Sequence, residues 1–416
     1  MRIIALAVIF ACTIGAAPDE NLLGKPLGYP VGKGATGAGN WHFDESVRVG
    51  SFTHQAEIPG LFDGKANILQ PADAPMPLPV ATHAPDYRWD AAGARGLTVD
   101  QYLARQRVMG LIIVKDGIVQ VERYQYDRTA ADRFTSQSMA KSITALGIGL
   151  ALAEGKIRSL DDRADLYATR LTGTLYGSTS IRNLLRMAAG AQYDQRYEWG
   201  GDTARFGNAL AREGVEAAAR VITVRETEDG RRFHYTSSQS AMLGAVLRAA
   251  TGMSLSAYLT PRLWQAIGAA DTATWLADRT GLEVAFGNFN ATLRDYARLG
   301  VVLANDGVRP DDPTAKQIIP RDYLLDATDW KRLPEQFRPG QATPYYGYGY
   351  QFWIFPGTQR RFALLGVYGQ SIFVDPGLRL VIVQTGANRT AEAGANSLGR
   401  DRDAFWRGIF RHYGKW

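Results

Sequence analysis

The order of elements along this chain predicts an α/β fold of the α+β kind: an antiparallel sheet flanked by helices, with a mostly helical region inserted into it. Three observations carry that expectation. A β-hairpin signal stands at residues 111–124, further strand signals cluster at residues 345–383, and the stretch between them reads as mostly helical. At 416 residues the chain exceeds one simple domain. The expected division is a leader at 1–17, an N-terminal extended arm at 18–90, an α/β region shared by 91–160 and 335–416, and the inserted region at 161–334.

The leader comes first. Arg2 precedes the apolar run Ile3 to Ile14, and Gly15-Ala16-Ala17 follow, which is the layout of an export signal and too short for a stable membrane span. The expectation is an exported protein, periplasmic or secreted, cleaved near Ala16 or Ala17. The sole cysteine, Cys12, lies inside this run. Either it leaves with the signal, which removes disulfide and thiolate chemistry, or it is a lipid attachment site. No other stretch is long and apolar enough to cross a bilayer, so no integral membrane segment is expected in the mature chain. Hydrophobic content of 46% and charged content of 21% describe an ordinary globular chain. The net charge of +6 is spread without a Lys/Arg block, which argues against nucleic-acid binding.

Residues 18–60 are rich in Gly and Pro and read as an arm with little regular structure. Five prolines between Pro71 and Pro85 predict a surface crossing, after which Thr98 is placed to cap a short helix from Val99 to Arg105. Leu111-Ile112-Ile113-Val114 and Ile118-Val119-Gln120-Val121 flank Lys115-Asp116-Gly117, in which Asp116-Gly117 is a tight-turn pair between two strands. The apolar run Ile143 to Ala153 predicts a buried helix that begins near Ser138 and ends near Gly155. Ser180 reads as the N-cap of a helix from Ile181 to Met187, and helices are expected from about Gln239 to Ala250 and from Arg294 to Ala304. Strands follow near Tyr345–Phe355, Phe362–Val367, Ile372–Val374 and Leu378–Val383, with Pro376-Gly377 as a turn, and Asp403–Tyr413 closes the chain as an aromatic-rich helix.

Ser138-Met139-Ala140-Lys141 is where chemistry is expected. A serine at the first turn of a buried helix and a lysine three residues later point the same way. Burial disfavours the charged amine, and a neutral lysine can take a proton that an unaided serine does not release at neutral pH. Free backbone N–H groups at the helix start suit a developing negative charge. Taken alone, the same four residues read more plainly as a capping serine with a snorkelling lysine. Two further elements join them. Tyr235-Thr236-Ser237 stands at the mouth of an expected helix, where a tyrosine beside a lysine can shuttle a proton; a packed aromatic is the plainer reading. Gly366-Val367-Tyr368-Gly369-Gln370-Ser371 would let a substrate carbonyl meet a backbone N–H, or is simply a bulge or strand end.

In this order the three elements resemble the serine β-lactamase and penicillin-binding protein superfamily, in its class C-like esterase branch and nearest to the 6-aminohexanoate-dimer hydrolases. Leu184-Leu185-Arg186-Met187 and Arg294-Asp295-Tyr296-Ala297-Arg298-Leu299-Gly300 add to the likeness, which covers about residues 90 to 410. The resemblance implies a β-lactamase-like fold, with Ser138 as the acylated nucleophile, Lys141 as its proton acceptor and Tyr235 as a shared acid/base. It implies the N–H groups of Ser138 and Gln370 as an oxyanion pair, with Gly369 beside the latter, and Tyr197 as a residue that meets the substrate amide. Two departures bear on the substrate. Ser237 stands where β-lactamases and cell-wall peptidases have asparagine, and Val367-Tyr368-Gly369 replaces their Lys-Thr-Gly-like strand. A neutral strand cannot supply a charge-assisted bond to a substrate carboxylate.

The expected function is therefore a serine hydrolase of a small carboxylic ester or linear amide. A β-lactamase or D-alanyl-D-alanine peptidase-like enzyme and a non-catalytic binding protein are the alternatives. The five histidines are scattered away from metal-ligand spacings and no glycine-rich phosphate loop is present, so no metal or cofactor is expected.

Overall fold

Which residues pair across the sheet decides where the expected site lands. The structure, a computed structural model, describes residues 44–58, 65–194, 201–312, 314, 316–391 and 397–414. Its strands in chain order are β1 (Ala66–Leu69), β2 (Trp89–Ala91), β3 (Ala94–Leu97), β4 (Val108–Lys115), β5 (Ile118–Tyr124) and β6 (Arg133–Thr135). They continue with β7 (Ala273–Leu276), β8 (Phe289–Thr292), β9 (Gly347–Tyr348), β10 (Trp353–Ile354), β11 (Phe362–Gly366), β12 (Gln370–Asp375) and β13 (Leu380–Gly386).

The main sheet has seven strands in the order β5-β4-β13-β12-β11-β10-β9. Its two halves come from opposite ends of the chain and are joined where β13 pairs antiparallel with β4. The β4–β5 hairpin turns at Asp116 (φ 52°) and Gly117 (φ 78°), the left-handed pair that a tight hairpin needs. Alternation along the strands sorts their side chains onto two faces. Ile112, Val114, Val381 and Val383 pack with the helices Met139–Ala153 and Leu293–Ala304. Leu111, Ile113, Leu380 and Ile382 face the other way, toward Tyr102, Phe405, Trp406 and Phe410 of the helices Val99–Arg105 and Ser397–His412. Burial on both faces is why β4 reads as an unbroken apolar run. Thr98 caps the Val99–Arg105 helix with a full capping box to Gln101.

Two features differ from the sequence reading. The segment expected to be an arm with little regular structure holds a helix, Glu45–Thr53, capped by Asp44 and buried through Arg48, Val49 and Phe52. Its short apolar face is hidden among polar residues, so no periodic run announces it. The inserted region is mostly helical, with Asp202–Glu213, Ser237–Thr251, Leu293–Ala304 and Arg321–Thr328 as its longer elements, but it also carries β7 and β8. These pair into a small sheet of order β1-β7-β8-β6, so a strand from the supposed arm is its edge. No helix of the described residues is long and apolar enough to cross a membrane. The leader and Cys12 lie outside the described residues.

Candidate active site

Ser138 stands at the N-cap position of the helix Met139–Ala153 without a side-chain capping hydrogen bond, and the helix residues from Met139 to Ala151 are all buried. The preceding residue, Gln137, is held at φ 45°, a left-handed conformation costly for a residue with a side chain. That turn leaves Ser138 half-exposed at the helix mouth. Lys141, one turn further in, is only 1% exposed. Its Nζ lies 2.9 Å from Ser138 Oγ, 3.3 Å from Ser237 Oγ and 3.1 Å from the Phe286 carbonyl oxygen. Desolvation alone brings this ammonium down to about 7, where the neutral amine is well populated at neutral pH. The Phe286 carbonyl is held in place because Thr144, one turn along the same helix, donates to the adjacent Ala285 carbonyl at 2.8 Å.

Tyr235 stands just before the helix Ser237–Thr251, with Lys141 Nζ 5.1 Å from its ring centroid. Its loop is pinned on both sides. Gln239 Nε2 donates to the His234 carbonyl at 2.9 Å and to Thr236 Oγ1 at 3.0 Å, while Gln239 Oε1 accepts from Ala189 N at 2.8 Å. His234 N donates to the Met187 carbonyl at 2.7 Å. Tyr348 and Trp353 flank the tyrosine ring at 6.0 and 5.3 Å between centroids. The two helices approach closely at Gly147, where an added Cβ would lie 2.6 Å from Leu247 Cδ2. Buried Gln351 bridges them, its backbone carbonyl accepting from Ser142 Oγ and its Oε1 from Ser240 Oγ.

The third element sits differently from its expected place. The strand β11 ends at Gly366, and Val367–Gly369 form a tight turn before β12 begins at Gln370. Tyr368 (φ 63°) and Gly369 (φ 99°) are both left-handed and cannot continue a strand, which is why the predicted Val367-Tyr368-Gly369 strand is corrected to a turn. Gln370 has no exposed surface; its side chain donates to the Gly386 carbonyl at 2.7 Å and accepts from Gly386 N at 3.0 Å. Gly369 is buried too, its carbonyl accepting from Gln384 Nε2. The half-exposed residues here are Leu365, Gly366 and Val367. A Cβ added to Gly366 would lie 2.6 Å from the Ser136 carbonyl oxygen and 2.9 Å from Gln137 Cβ. The end of β11 therefore abuts the turn that presents Ser138.

Of the predicted site residues, the fold brings Ser138, Lys141, Tyr235 and Ser237 together and puts Gln370 and Gly369 in the interior behind them. Tyr197 lies outside the described residues. Sequence reasoning missed Phe286, Gln351 and the role of Gly366 as the close approach. The first acts through a backbone carbonyl and leaves no trace in residue type; Gln351 is one polar residue in an aromatic stretch. Among the described residues, no group of three or more His, Cys, Asp or Glu side chains could hold a metal ion.

Comparison with known proteins adds four findings. Residues 97–399 match the family described as Beta-lactamase. A 6-aminohexanoate-dimer hydrolase of Paenarthrobacter ureafaciens is 25% identical over 74% of this chain and 79% of its own length. A structure from Bacillus anthracis, named as a candidate 6-aminohexanoate-dimer hydrolase, superposes with a TM-score of 0.78 at 25% identity, covering 90% of this chain and 96% of that one. A family VIII carboxylesterase shares the fold at 17% identity, with a TM-score of 0.54 over 73% of this chain and 93% of that one.

Proposed function

This chain belongs to the Beta-lactamase family, and from that premise we propose that it is a serine hydrolase that cleaves small carboxylic esters or linear amides through an acyl-enzyme on Ser138. The observation that carries the reading is the buried Lys141, with Nζ 2.9 Å from Ser138 Oγ and its ammonium brought down to about 7. The neutral amine takes the Ser138 proton as Oγ forms a bond to the substrate carbonyl carbon. Tyr235 passes a proton to the leaving alcohol or amine as its bond to that carbon breaks, then takes one from the water that attacks the same carbon, while the Ser138 Oγ–carbon bond breaks and Lys141 returns its proton to Oγ. The N–H of Ser138 and one N–H from the half-exposed end of β11, which we assign to Val367 in place of the buried Gln370, stabilise the oxyanion in both steps.

The neutral strand supports an uncharged substrate end at this edge. Leu364-Leu365-Gly366, like Val367-Tyr368-Gly369, offers no cation for a carboxylate. The relatives' named substrate is a linear amide, and a carboxylesterase shares the fold, so ester and amide are both kept in the proposal. The leader supports export, which predicts a mature chain beginning near Pro18 in the periplasm or medium; an intact Met1 in the cytoplasmic fraction would remove it.

The deciding experiment is intact-protein mass after a small fluorophosphonate, with p-nitrophenyl acetate and butyrate hydrolysis followed in parallel. Ser138→Ala is expected to lose the label and about a millionfold in kcat together, with folding unchanged. Wild-type turnover in that variant would end the acyl-enzyme reading.

A further inference from the structure

Resting on the acyl-enzyme reading, we propose that the helix Glu45–Thr53 is a clamp on the active site, with Arg48 as a positioning residue that holds the β11 end in register with the Ser138 turn. The helix touches both sides of that junction. On one side Arg48, 1% exposed, donates from Nη1 to the carbonyls of Asn388 and Arg389 and lays its guanidinium 4.3 Å from the Tyr368 ring centroid. Phe52 meets the same ring edge-on at 5.6 Å. Tyr368 is thereby held through its ring, while its backbone N donates to the Ala391 carbonyl and its carbonyl accepts from Asn388 N, both at 3.1 Å. This left-handed residue follows Val367 directly, so its placement fixes where β11 ends.

On the other side the helix packs against β6, which runs straight into Ser136, Gln137 and Ser138. Thr53 Oγ1, in its last turn, accepts from Arg128 Nη1 at 2.9 Å, and Arg128 pairs with Asp132 at the start of that strand. One short helix thus spans the two backbone segments whose separation defines the oxyanion site.

A buried cation is a poor choice for packing alone, because it costs desolvation that an apolar side chain of similar volume would not. Arginine suits this place for its shape. A planar guanidinium can bond two consecutive carbonyls and stack on an aromatic face at once, which an ammonium cannot. An oxyanion site tolerates little displacement, so a helix that does no chemistry can still set kcat.

The test compares Arg48→Met, Arg48→Lys and Val49→Ala with wild type. Val49 is fully buried on the same helix and serves as the packing control. Readouts are kcat and KM for p-nitrophenyl butyrate below each variant's Tm, the pH–rate profile, and the rate of fluorophosphonate labelling. Arg48→Met is expected to lower kcat and labelling by about tenfold to a hundredfold with KM little changed. The acidic limb of the profile should stay in place, since nothing around Lys141 is altered. Arg48→Lys should recover only part of the loss, and Val49→Ala should keep wild-type kcat despite a lower Tm. Equal kcat in Arg48→Met and Val49→Ala would overturn the clamp. If Arg48→Met does not fold, wild-type kcat in Arg48→Lys would overturn it instead. An unlabelled wild type would remove the acyl-enzyme reading and the clamp together, whereas a labelled wild type with unaffected Arg48 variants removes the clamp alone.

Discussion

The two walls that meet at Ser138 are made of different material. The helix wall presents side chains: Ser138, Lys141 and Ser237 on two crossing helices, with Tyr235 pinned beside them. The strand wall presents backbone, the half-exposed edge Leu365–Val367 held against the Ser136–Gln137 turn. Side-chain chemistry needs a particular residue type and an environment that tunes it. Backbone chemistry needs only position, so almost any residue can fill it and its identity says little. The two walls should accordingly fail in different ways.

The largest expected effect lies on the helix wall. Lys141→Met should lower kcat by about a thousandfold, because no group then takes the Ser138 proton. In wild type the rate should rise with pH through about 7, as the buried ammonium of Lys141 loses its proton. Stability should rise with pH as well, over the range above that titration. Between about 7 and the ordinary lysine range the unfolded chain holds the proton and the folded one does not, so unfolding is made harder as pH rises. The burial penalty is thus full below about 7 and fades above it. Lys141→Met should therefore be more stable than wild type at pH 6, on the order of a few kcal/mol, with the gap narrowing toward pH 10. Denaturant unfolding of both proteins across that range measures it. A constant gap, or a flat pH–rate profile, would show that Lys141 is not the tuned base.

The strand wall is best broken by adding a single carbon. Gly366 has φ −128°, which alanine adopts freely, so Gly366→Ala introduces no backbone strain. Its Cβ would nevertheless meet the Ser136 carbonyl at 2.6 Å, a backbone atom that no rotamer change can move aside. The strand and the turn must part, and kcat should fall by about a hundredfold while the pH dependence set by Lys141 stays put. Steady-state kinetics across pH checks both. Near-wild-type turnover would mean that the end of β11 does not carry the oxyanion donor, and attention would return to Gln370.

The same contrast explains what could be read from residues alone. The β4–β5 hairpin, the buried helix after Ser138 and the Tyr235-Thr236-Ser237 entry to the next helix were legible because short-range pattern and residue type both announced them. The seven-stranded sheet joined from both ends of the chain followed from the order of those signals. The sheet β1-β7-β8-β6 was not legible, since its strands are three or four residues long and pair segments far apart in sequence. The Glu45–Thr53 helix hid for a related reason: one of its buried residues is an arginine, which a sequence pattern assigns to the surface. The burial of Gln370 was hidden from the sequence for a similar reason. The strand was read as Phe362–Val367, one residue past its end at Gly366, but the tight turn through the left-handed Tyr368 and Gly369 that sets Gln370 in the interior has no signal in residue type.

Ser237 gives the finest test of how the helix wall is tuned. An ammonium at Lys141 donates to Ser138, Ser237 and the Phe286 carbonyl together. The neutral amine has two N–H bonds and one lone pair for the same three neighbours. Ser237 and Phe286 occupy the N–H bonds, which leaves the lone pair directed at the Ser138 hydroxyl. Ser237→Ala removes one acceptor, so the amine turns more freely and meets Ser138 correctly less of the time. Removing an acceptor from the ammonium also disfavours the charged form. The plateau of kcat should therefore fall by about threefold to tenfold, roughly the value of one neutral hydrogen bond, while the acidic limb shifts to lower pH. A plateau that falls by more than the limb shift accounts for marks lost orientation, because a weaker base alone lowers the plateau by no more than the factor by which its basicity drops. If neither moves, Ser237 faces the substrate rather than the lysine, and the three-neighbour arrangement around Nζ is not what aims the amine.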